Sequence, residues 1–462
     1  MSAPPIWAQL AYLVAAVCFV LALKGLSSPK TARRGNLIGA AGAVLATATV
    51  LVSGDLDHLL PIGIAIVVGV AIGALGAYRV QMTQMPQLVA LFNGVGGGAA
   101  AIVALVELHE IAQRTEAAST FHLVATALTI IIGSVSFTGS IVTFLKLQEL
   151  MTTRPVTFAG YPILYGLALL SALGFGVYLA LFPTMVAGVA LAVIGAGVGV
   201  LLVLPVGGAD VPIVISLLNA FTGLSVAASG YVLENPLLLI AGTLVGAAGT
   251  LLTQLMATAM GRSLSSTLFG ALKGGSTLGA GEASDRPVKA TGPADVAILL
   301  AYASRVIIVP GYGLAVAQAQ HTLRQLVDLL TERGVQVDYA IHPVAGRMPG
   351  HMNVLLAEAQ VPYDQLREAE EIDSEFRTTD VALVVGANDV VNPAAETSPG
   401  APIYGMPILH AIQARQVVFL KRSMRPGFAG IENGLLYEPQ TSLLFGDAKD
   451  TLAKVLAEVK AL

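Results

Sequence analysis

Charged residues are scarce in this chain of 462 residues. Asp, Glu, Lys and Arg together make up 12% of the sequence, whereas 55% of it is hydrophobic and the mean hydropathy is +0.76. A soluble globular protein carries about 25% charged residues, so this composition argues against a wholly soluble protein. The formal net charge of −4 gives no basis for binding nucleic acid.

Cysteine is almost absent as well. The chain contains only Cys18, so it can form neither an internal disulfide nor a thiolate metal site. The seven histidines are scattered, without metal-ligand spacing such as H-E-x-x-H. We therefore predict no metal site.

The few charges are also distributed unevenly. Only nine of the 25 Lys and Arg residues precede Ser263. The same part of the chain contains apolar runs of about the 20 residues that a helix needs to cross a bilayer. We predict a multi-pass α-helical membrane bundle of about nine helices over residues 1–262, with spans at 5–23, 36–52, 59–77, 86–106, 123–145, 161–181, 185–204, 212–232 and 236–259. No basic region precedes the first run, which favours a spanning helix over a signal peptide.

The basic residues predict an orientation. If the C-terminal part lies in the cytoplasm, nine crossings place the N-terminus outside. Eight of the nine basic residues then lie in inside loops, and only Arg114 lies in an outside loop. Cytoplasmic loops of membrane proteins carry such an excess of Lys and Arg.

Polar side chains within the predicted spans are few. Asn93, Asn219 and Ser140 are among them. An amide in hydrocarbon is costly unless it is paired. One interpretation is hydrogen bonding between helices, and the other is a hydrated path for a proton, because Asn and Ser orient water without a permanent charge. The glycines in the last span, including Gly249, favour close helix packing; the alternative is that some of them mark a helix interface that moves or admits water.

The composition changes after the last span. Residues 263–292 are rich in Gly, Ser, Thr and charge, which predicts a flexible linker. Residues 293–462 alternate between apolar strand and helix patterns. We predict a Rossmann-like α/β domain with a mainly parallel sheet.

A glycine turn lies at the start of this domain. Residues 309–316 follow a β-branched run at 305–309 and open a helical pattern that extends from Leu314 to Leu330. Such a turn can bind a pyrophosphate through backbone N–H groups. Gly311 allows the tight turn and Gly313 allows the backbone to approach the phosphates. The third fingerprint position is Val316 instead of glycine, and plain turn glycines are the alternative.

Residues at the ends of later predicted strands are candidate nucleotide contacts. The apolar strand predicted at 381–385 is followed by Asn388 and Asp389, and ligands of open α/β sheets bind at the carboxyl ends of strands. Two other strand ends indicate which nucleotide binds. The strand at 335–341 is followed by His342, where an NAD-binding domain places an acid for the ribose 2′-OH. The strand at 417–420 is followed by Lys421, Arg422 and Ser423, and two cations with a hydroxyl fit a 2′-phosphate. We predict NADP(H) as the cofactor of this chain; a solvated strand end is the alternative for the two cations.

Four motifs resemble those of the β subunit of proton-translocating NAD(P) transhydrogenase. They are GYGLAVAQAQ at 311–320, HPVAGRMPGHMN at 342–353, GAND at 386–389 and KRSM at 421–424. The membrane segments at 82–86 and 210–219 extend the resemblance over the chain. It implies hydride transfer between NADP(H) on this chain and NAD(H) on a partner, coupled to inward proton movement through this chain in a bacterial inner membrane.

The resemblance also implies partners and site residues. The partners are one or more alpha subunits with the NAD(H)-binding domain and further membrane helices, assembled as a dimer of heteromers. The implied proton-path positions are Asn93, Asn219, Asp210, Ser140 and Gly249. Together with neighbouring residues, the candidate NADP(H) contacts are Gly311, Tyr312, Gly313, Ala315, Val316, Val344, Ala345, Gly346, Arg347, Gly386, Asn388, Asp389, Lys421, Arg422, Ser423, Gly427, Phe428 and Gly430. Residues 427–430 form a candidate lid. Some members of the family have His in place of Asn93, and others have Tyr in place of Phe428.

Hydride exchange between two nicotinamides is nearly isoenergetic, so its direction must be driven from elsewhere. A charge crossing the membrane contributes about 2.3 kcal/mol per 100 mV. We hypothesise that Asp389 and the lid sense the proton occupancy of the membrane path, which is a reciprocal coupling. Two other functions stay open: a membrane transporter or channel gated by a nucleotide, and a structural membrane anchor.

Overall fold

The computed structural model describes residues 5–53, 59–81, 84–113, 118–148, 150–152, 156–207, 210–259, 286–346, 350–399, 401, 403–427 and 429–462. The chain forms two compact units. The first extends to Gln254, and the second contains the described residues from Arg286 to Leu462. The predicted domain limits at 262 and 293 stay predictions.

The first unit is helical. Within the described residues, nine helices are long and apolar enough to span a membrane. They are α1 (Ile6–Leu26), α2 (Pro29–Ser53), α3 (Leu59–Arg79), α4 (Met85–Gln113), α5 (Thr120–Leu147), α6 (Tyr161–Leu181), α7 (Met185–Val203), α8 (Val211–Val232) and α9 (Pro236–Ala259). The predicted nine-helix bundle is confirmed. α2 begins before the predicted span at 36–52, and α4 ends after the predicted span at 86–106. Helical hydrogen bonds continue beyond the apolar segment that is long enough to cross the hydrocarbon core.

Small residues bring the helices of this unit close together. A Cβ atom added to Gly97 on α4 would lie 2.9 Å from the Cβ atom of Ser136 on α5. A Cβ atom added to Gly249 on α9 would lie 2.8 Å from the backbone nitrogen of Ala220 on α8. Larger residues at these glycines would separate the backbones. The close packing predicted for the α9 glycines is therefore confirmed.

A buried lysine fixes the end of α5 to the end of α7. The side chain of Lys146 is almost fully buried, and its Nζ atom donates to the carbonyl oxygens of Val203 at 3.0 Å, Leu204 at 2.6 Å and Val206 at 2.8 Å. These bonds use the three donors of the ammonium group. The last carbonyl groups of a helix carry partial negative charge, so a cation is favourable there.

The second unit contains a six-stranded sheet in which every described pairing is parallel. The strands are β1 (Arg305–Pro310), β2 (Gln336–Ile341), β3 (Leu366–Glu368), β4 (Val381–Val385), β5 (Gln416–Lys421) and β6 (Thr441–Phe445), in the spatial order β3-β2-β1-β4-β5-β6. This is the order of a doubly wound dinucleotide-binding sheet. The predicted Rossmann-like fold is confirmed.

Helices connect the strands and cover the sheet. They are α10 (Pro293–Ala301), α11 (Tyr312–Val316), α12 (Gln320–Glu332), α13 (His351–Glu358), α14 (Ala369–Ile372), α15 (Ala394–Thr397) and α16 (Ala448–Ala461). The core of the unit includes the fully buried Val306 and Val309 of β1 and Val384 of β4. Strands buried on both faces are continuous apolar runs, which is why β1 and β4 could be predicted.

One predicted helix is wrong in part. The helical pattern from Leu314 to Leu330 is divided into α11 and α12 by a break in which Gln318 has a φ of +48°. Leu314 and Leu323 are both fully buried, so the apolar pattern continues across the break. Periodicity alone therefore could not show where the first helix ends.

Part of the predicted linker is hydrogen-bonded to the sheet. The backbone nitrogen of Leu443 in β6 donates to the carbonyl oxygen of Lys289 at 2.7 Å, and the nitrogen of Thr291 donates to the carbonyl oxygen of Leu443 at 2.9 Å. Residues 289–291 thus run beside β6. The predicted linker residues up to 285 lie outside the described residues.

Candidate functional site

The candidate nucleotide site lies where the strand order reverses. β1 pairs with β4, and the chain continues from these two strands toward opposite edges of the sheet. Loops at the carboxyl ends of two such strands diverge and leave a crevice in which ligands of open parallel sheets bind. Here the loop after β1 carries Gly311 and Gly313, and the loop after β4 carries Gly386, Asn388 and Asp389.

The two loops are joined through their backbones. Gly311 N donates to the carbonyl oxygen of Val385, and Gly313 N donates to that of Gly386, both at 2.9 Å. A Cβ atom added to Gly313 would lie 2.7 Å from Gly386 Cα, and Gly386 itself has a φ of +73°. The close approach that these glycines permit is therefore between the two loops. Both N–H groups are used in this junction, by the last residue of β4 and by the loop after it. The predicted approach of Gly313 to a phosphate stays a prediction.

Three predicted residues form a polar cluster at the ends of β4 and β5. Lys421 Nζ donates to Asn388 Oδ1 at 3.2 Å and to the carbonyl oxygen of Arg425 at 3.2 Å. Asn388 Nδ2 donates to Asp389 Oδ1 at 3.0 Å. Burial lowers the pKa of Lys421, and the negative charge of Asp389 opposes this shift. The cluster thus combines a cation, an amide and a carboxylate at one end of the sheet.

The loop after β5 lies against this cluster. Ala429 N donates to Asp389 Oδ2 at 2.9 Å, and a Cβ atom added to Gly427 would lie 2.6 Å from Asp389 Oδ1. Gly430 has a φ of +74° and closes a turn on Gly427. Arg422 and Ser423 are exposed at the start of the loop. The predicted residue Phe428 lies outside the described residues.

A neutral histidine shapes the loop after β2. His342 Nδ1 accepts a hydrogen bond from Val344 N at 3.3 Å, so the proton is on Nε2, which donates to the carbonyl oxygen of Pro407 at 2.9 Å. Burial lowers the pKa of His342 to about 4, although the bond to Pro407 and the charge of Asp373 raise it. The residue that follows β2 is therefore an uncharged imidazole, at the position where an NAD-binding domain has an acid.

The remaining predicted residues of this loop lie between β2 and α13. Ala345 is buried, and Gly346 has a φ of +116° with its α-carbon packed against His351. The rings of His351 and Tyr312 make an edge contact with centroids 5.7 Å apart. The loops after β1 and β2 therefore meet. Ala315 is buried on α11, Val316 is exposed, and Arg347 lies outside the described residues.

The membrane unit contains a second candidate site, a hydrogen-bonded cluster on three helices. Asn93 Nδ2 on α4 donates to Ser140 Oγ at 2.9 Å and to Ser136 Oγ at 3.3 Å, both on α5. Ser136 Oγ donates to the carbonyl oxygen of Leu218 at 3.0 Å and lies 2.5 Å from Thr222 Oγ1 on α8. The cluster joins two predicted residues, Asn93 and Ser140. Its third helix contributes Thr222, which was not predicted from the sequence.

The other predicted proton-path residues are on α8, next to it in sequence, or in contact with it. Asn219 is half-buried on α8, one helical turn before Thr222. Asp210 directly precedes α8, and Gly249 contacts α8 at Ala220. The spacing of three residues between Asn219 and Thr222 was the signal in the sequence for the missed hydroxyl, since it places both on one side of α8.

This fold and these sites define the class of the protein: it is a multi-pass membrane protein with a domain of the dinucleotide-binding type. The family model for the NAD(P) transhydrogenase beta subunit matches residues 8–458. Two NAD(P) transhydrogenase subunit beta proteins of Rhodospirillum rubrum, one of them from a named strain, are each 48% identical to this chain over 452 residues, which cover 96% of this chain and 97% of the relative. The chain belongs to the NAD(P) transhydrogenase beta subunit family, and the resemblance drawn from its motifs is confirmed.

Proposed function

We propose that this chain is the NADP(H)-binding and proton-channel subunit of a proton-translocating NAD(P)⁺ transhydrogenase. Its partners are alpha subunits that carry the NAD(H)-binding domain and further membrane helices, and the assembly is a dimer of heteromers. The complex lies in a bacterial inner membrane, with the N-terminus of this chain outside and its C-terminal domain in the cytoplasm. Hydride transfer between the two nucleotides is coupled to proton movement across the membrane.

One observation carries the choice of NADP(H). Lys421 is at the end of β5 beside Asn388, with Arg422 exposed next to it, and β2 is followed by the neutral His342. A 2′-phosphate requires cations, whereas a free ribose 2′-OH is bound by an acid after β2. The charges of this site therefore fit the phosphorylated nucleotide.

The residues of this chain act by positioning. NADP(H), when bound, supplies or accepts the hydride directly, so no side chain has to act as a general acid or base. The loop junction at Gly311–Gly313 and Gly386 fixes the floor of the crevice. Asp389 holds the loop after β5 through Ala429 N, which keeps that loop beside the crevice.

The membrane cluster supports the proton-channel assignment. Asn93, Ser136, Ser140 and Thr222 form a connected group of an amide and three hydroxyls inside the helical unit. Neutral groups of this kind orient water for proton transfer and offer no charged site to another ion. Asn219 extends the polar side of α8 by one turn.

The test is nucleotide binding to the full-length chain, measured by calorimetry with NADPH and NADH. The wild type should prefer NADPH. Lys421→Gln should weaken NADPH binding by about tenfold or more, because a hydrogen bond to a charged group contributes about 1.5–3 kcal/mol, and it should leave NADH binding unchanged. Lys460→Gln, at an exposed lysine near the end of α16, is the matched control. A preference for NADH, or an equal loss for both nucleotides, would contradict the proposal.

A further inference from the structure

Two buried asparagines connect the loop after β4 with the segment that follows the β5 loop. Asn433 is 1% exposed; its Nδ2 donates to the carbonyl oxygen of Asn388 at 2.9 Å, and its Oδ1 accepts from Leu435 N at 3.0 Å. Asn392 is 0% exposed; its Nδ2 donates to the carbonyl oxygen of Glu432 at 3.0 Å. Its Oδ1 accepts from Ala394 N at 3.1 Å. We name Asn392 and Asn433 the amide clasp.

The clasp completes a series of attachments along the β5 loop. Lys421 attaches the start of the loop to Asn388, and Asp389 attaches its later part through Ala429 N. The clasp attaches Glu432 and Asn433, which follow the loop. All these attachments reach the short segment 388–392, which also carries the polar groups of the candidate nucleotide site.

Each clasp amide bonds within its own segment with Oδ1 and across to the other segment with Nδ2. The crossing bonds have backbone carbonyl oxygens as acceptors, so they do not depend on the side chains of Asn388 or Glu432. A buried polar group that loses its partner is costly, because no water replaces the lost bond. Removing one Nδ2 donor therefore favours separation of the two segments.

We propose that the amide clasp positions the β5 loop over the dinucleotide site and thereby slows the release of NADP(H). This inference rests on the proposed function, because it takes NADP(H) as the occupant of the site. Asn392 and Asn433 are positioning residues that act through Asn388, Asp389 and the loop. Without the clasp the end of the loop is released while Lys421 and Asp389 stay in place. The change is expected in the dissociation rate, where most affinity differences among variants of one site arise.

The test measures nucleotide release from the full-length chain. The protein is loaded with NADPH and mixed with excess NADP⁺, and the change in NADPH fluorescence gives the release rate. Asn433→Asp keeps the size of the side chain and the acceptor for Leu435 N but loses the Nδ2 donor. We expect release about tenfold faster than in the wild type near neutral pH, with the association rate unchanged within about twofold.

A matched control removes a similar bond elsewhere in the same unit. Gln440 Nε2 donates to the carbonyl oxygen of Ile412 at 3.0 Å, away from segment 388–392. Gln440→Glu deletes an amide donor to a backbone carbonyl oxygen, as Asn433→Asp does. Its NADPH release should equal that of the wild type. An equal acceleration in both variants would overturn the proposal, because any lost amide donor would then have the same effect.

The pH profile separates positioning from general structural damage. Position 433 is buried, and burial raises the pKa of a carboxyl group above its ordinary value. A protonated carboxyl group regains an O–H donor. The release rate of Asn433→Asp relative to wild type should therefore approach unity as the pH falls from about 8 to about 5.5. Asn433→Ala has no donor at any pH, and its relative rate should stay high. If Asn433→Ala does not fold, Asn392→Asp, which removes the other crossing donor, provides the second profile and should show the same recovery.

The outcomes distinguish the clasp from the proposed function. Wild-type release rates in the clasp variants, or a relative rate for Asn433→Asp that does not change with pH, would overturn the clasp alone. A wild-type chain that retains no NADPH would instead refute the proposed function on which the clasp depends.

Discussion

Replacing Gly386 by alanine tests the junction between the loops after β1 and β4. The added Cβ atom would lie 2.6 Å from Gly313 Cα, and the residue would have to keep a φ of +73°. The left-handed backbone costs a non-glycine residue about 1–2 kcal/mol, and forcing a methyl group into a packed site costs about 1–3 kcal/mol more. We expect Gly386→Ala to lower the stability of the second unit by about 2–5 kcal/mol, a large part of the about 5–15 kcal/mol typical of a domain.

Two other glycines separate these contributions. Gly334 has a φ of +87° and nothing within 4 Å of an added Cβ atom, so Gly334→Ala introduces the backbone strain alone. Gly311 has a φ of −143°, and its added Cβ atom would contact Ala387, so Gly311→Ala introduces the clash alone. Gly386→Ala should therefore be more destabilising than either of the two controls.

Native-state hydrogen exchange of the full-length chain is the suitable assay, because it reports the opening free energy of individual segments. Amides of β1 and β4 would be followed in the wild type and in the three variants. If β1 and β4 open no more readily in Gly386→Ala than in Gly334→Ala, then close contact between the loops is not what Gly386 serves, and the account of this junction is refuted.

Two further predictions concern the membrane cluster and a surface histidine. Ser136→Ala removes the hydroxyl between Asn93 and Thr222. Coupled turnover should therefore fall by about tenfold or more, while calorimetry shows NADPH binding unchanged. Unaffected turnover would contradict this prediction. Burial lowers the pKa of His410, but hydrogen bonds and charges from Asp373, at 2.7 Å, and Glu396, at 3.1 Å, outweigh burial and raise it. A raised pKa stabilises the fold at low pH, and this contribution is lost as the pH rises above about 6.5 and through the folded-state pKa. Hydrogen exchange around His410 should accelerate over that range beyond its intrinsic pH dependence, and His410→Gln should abolish the additional acceleration; its persistence in that variant would contradict the assignment.

The sequence predicted those parts of the fold that long apolar runs determine. The spans and the buried strands β1 and β4 have such runs, and all of them were confirmed. β3 was missed because it is three residues long and reads Leu-Arg-Glu, and β6 because it begins with the buried polar residues Thr441 and Ser442. Strands of these kinds are determined by pairing with a neighbour, which a local pattern does not record.

In the candidate sites too, the residues with a local sequence pattern could be predicted, and those placed by contacts distant in sequence could not. Asn388, Asp389 and Lys421 could be placed together because each follows a strand of a parallel sheet. Thr222 contacts Ser136 across 86 positions of sequence, and Asn433 contacts Asn388 across 45. The spacing of Asn219 and Thr222 indicated a second polar group on that side of α8, but no local pattern indicates that Thr222 contacts Ser136 or that Asn433 contacts Asn388. Only the packing of the helices and the path of the β5 loop bring these partners together.

The most direct test of the account is coupled turnover in vesicles that contain this chain with its alpha subunits, with the C-terminal domain outside. NADPH and an oxidised NAD analogue are added, and analogue reduction and the pH of the lumen are recorded together. The account predicts that the lumen acidifies as the analogue is reduced, and that Asn219→Leu abolishes this coupled reaction although NADPH still binds. Analogue reduction without a pH change in the wild type, or full coupling in Asn219→Leu, would contradict it.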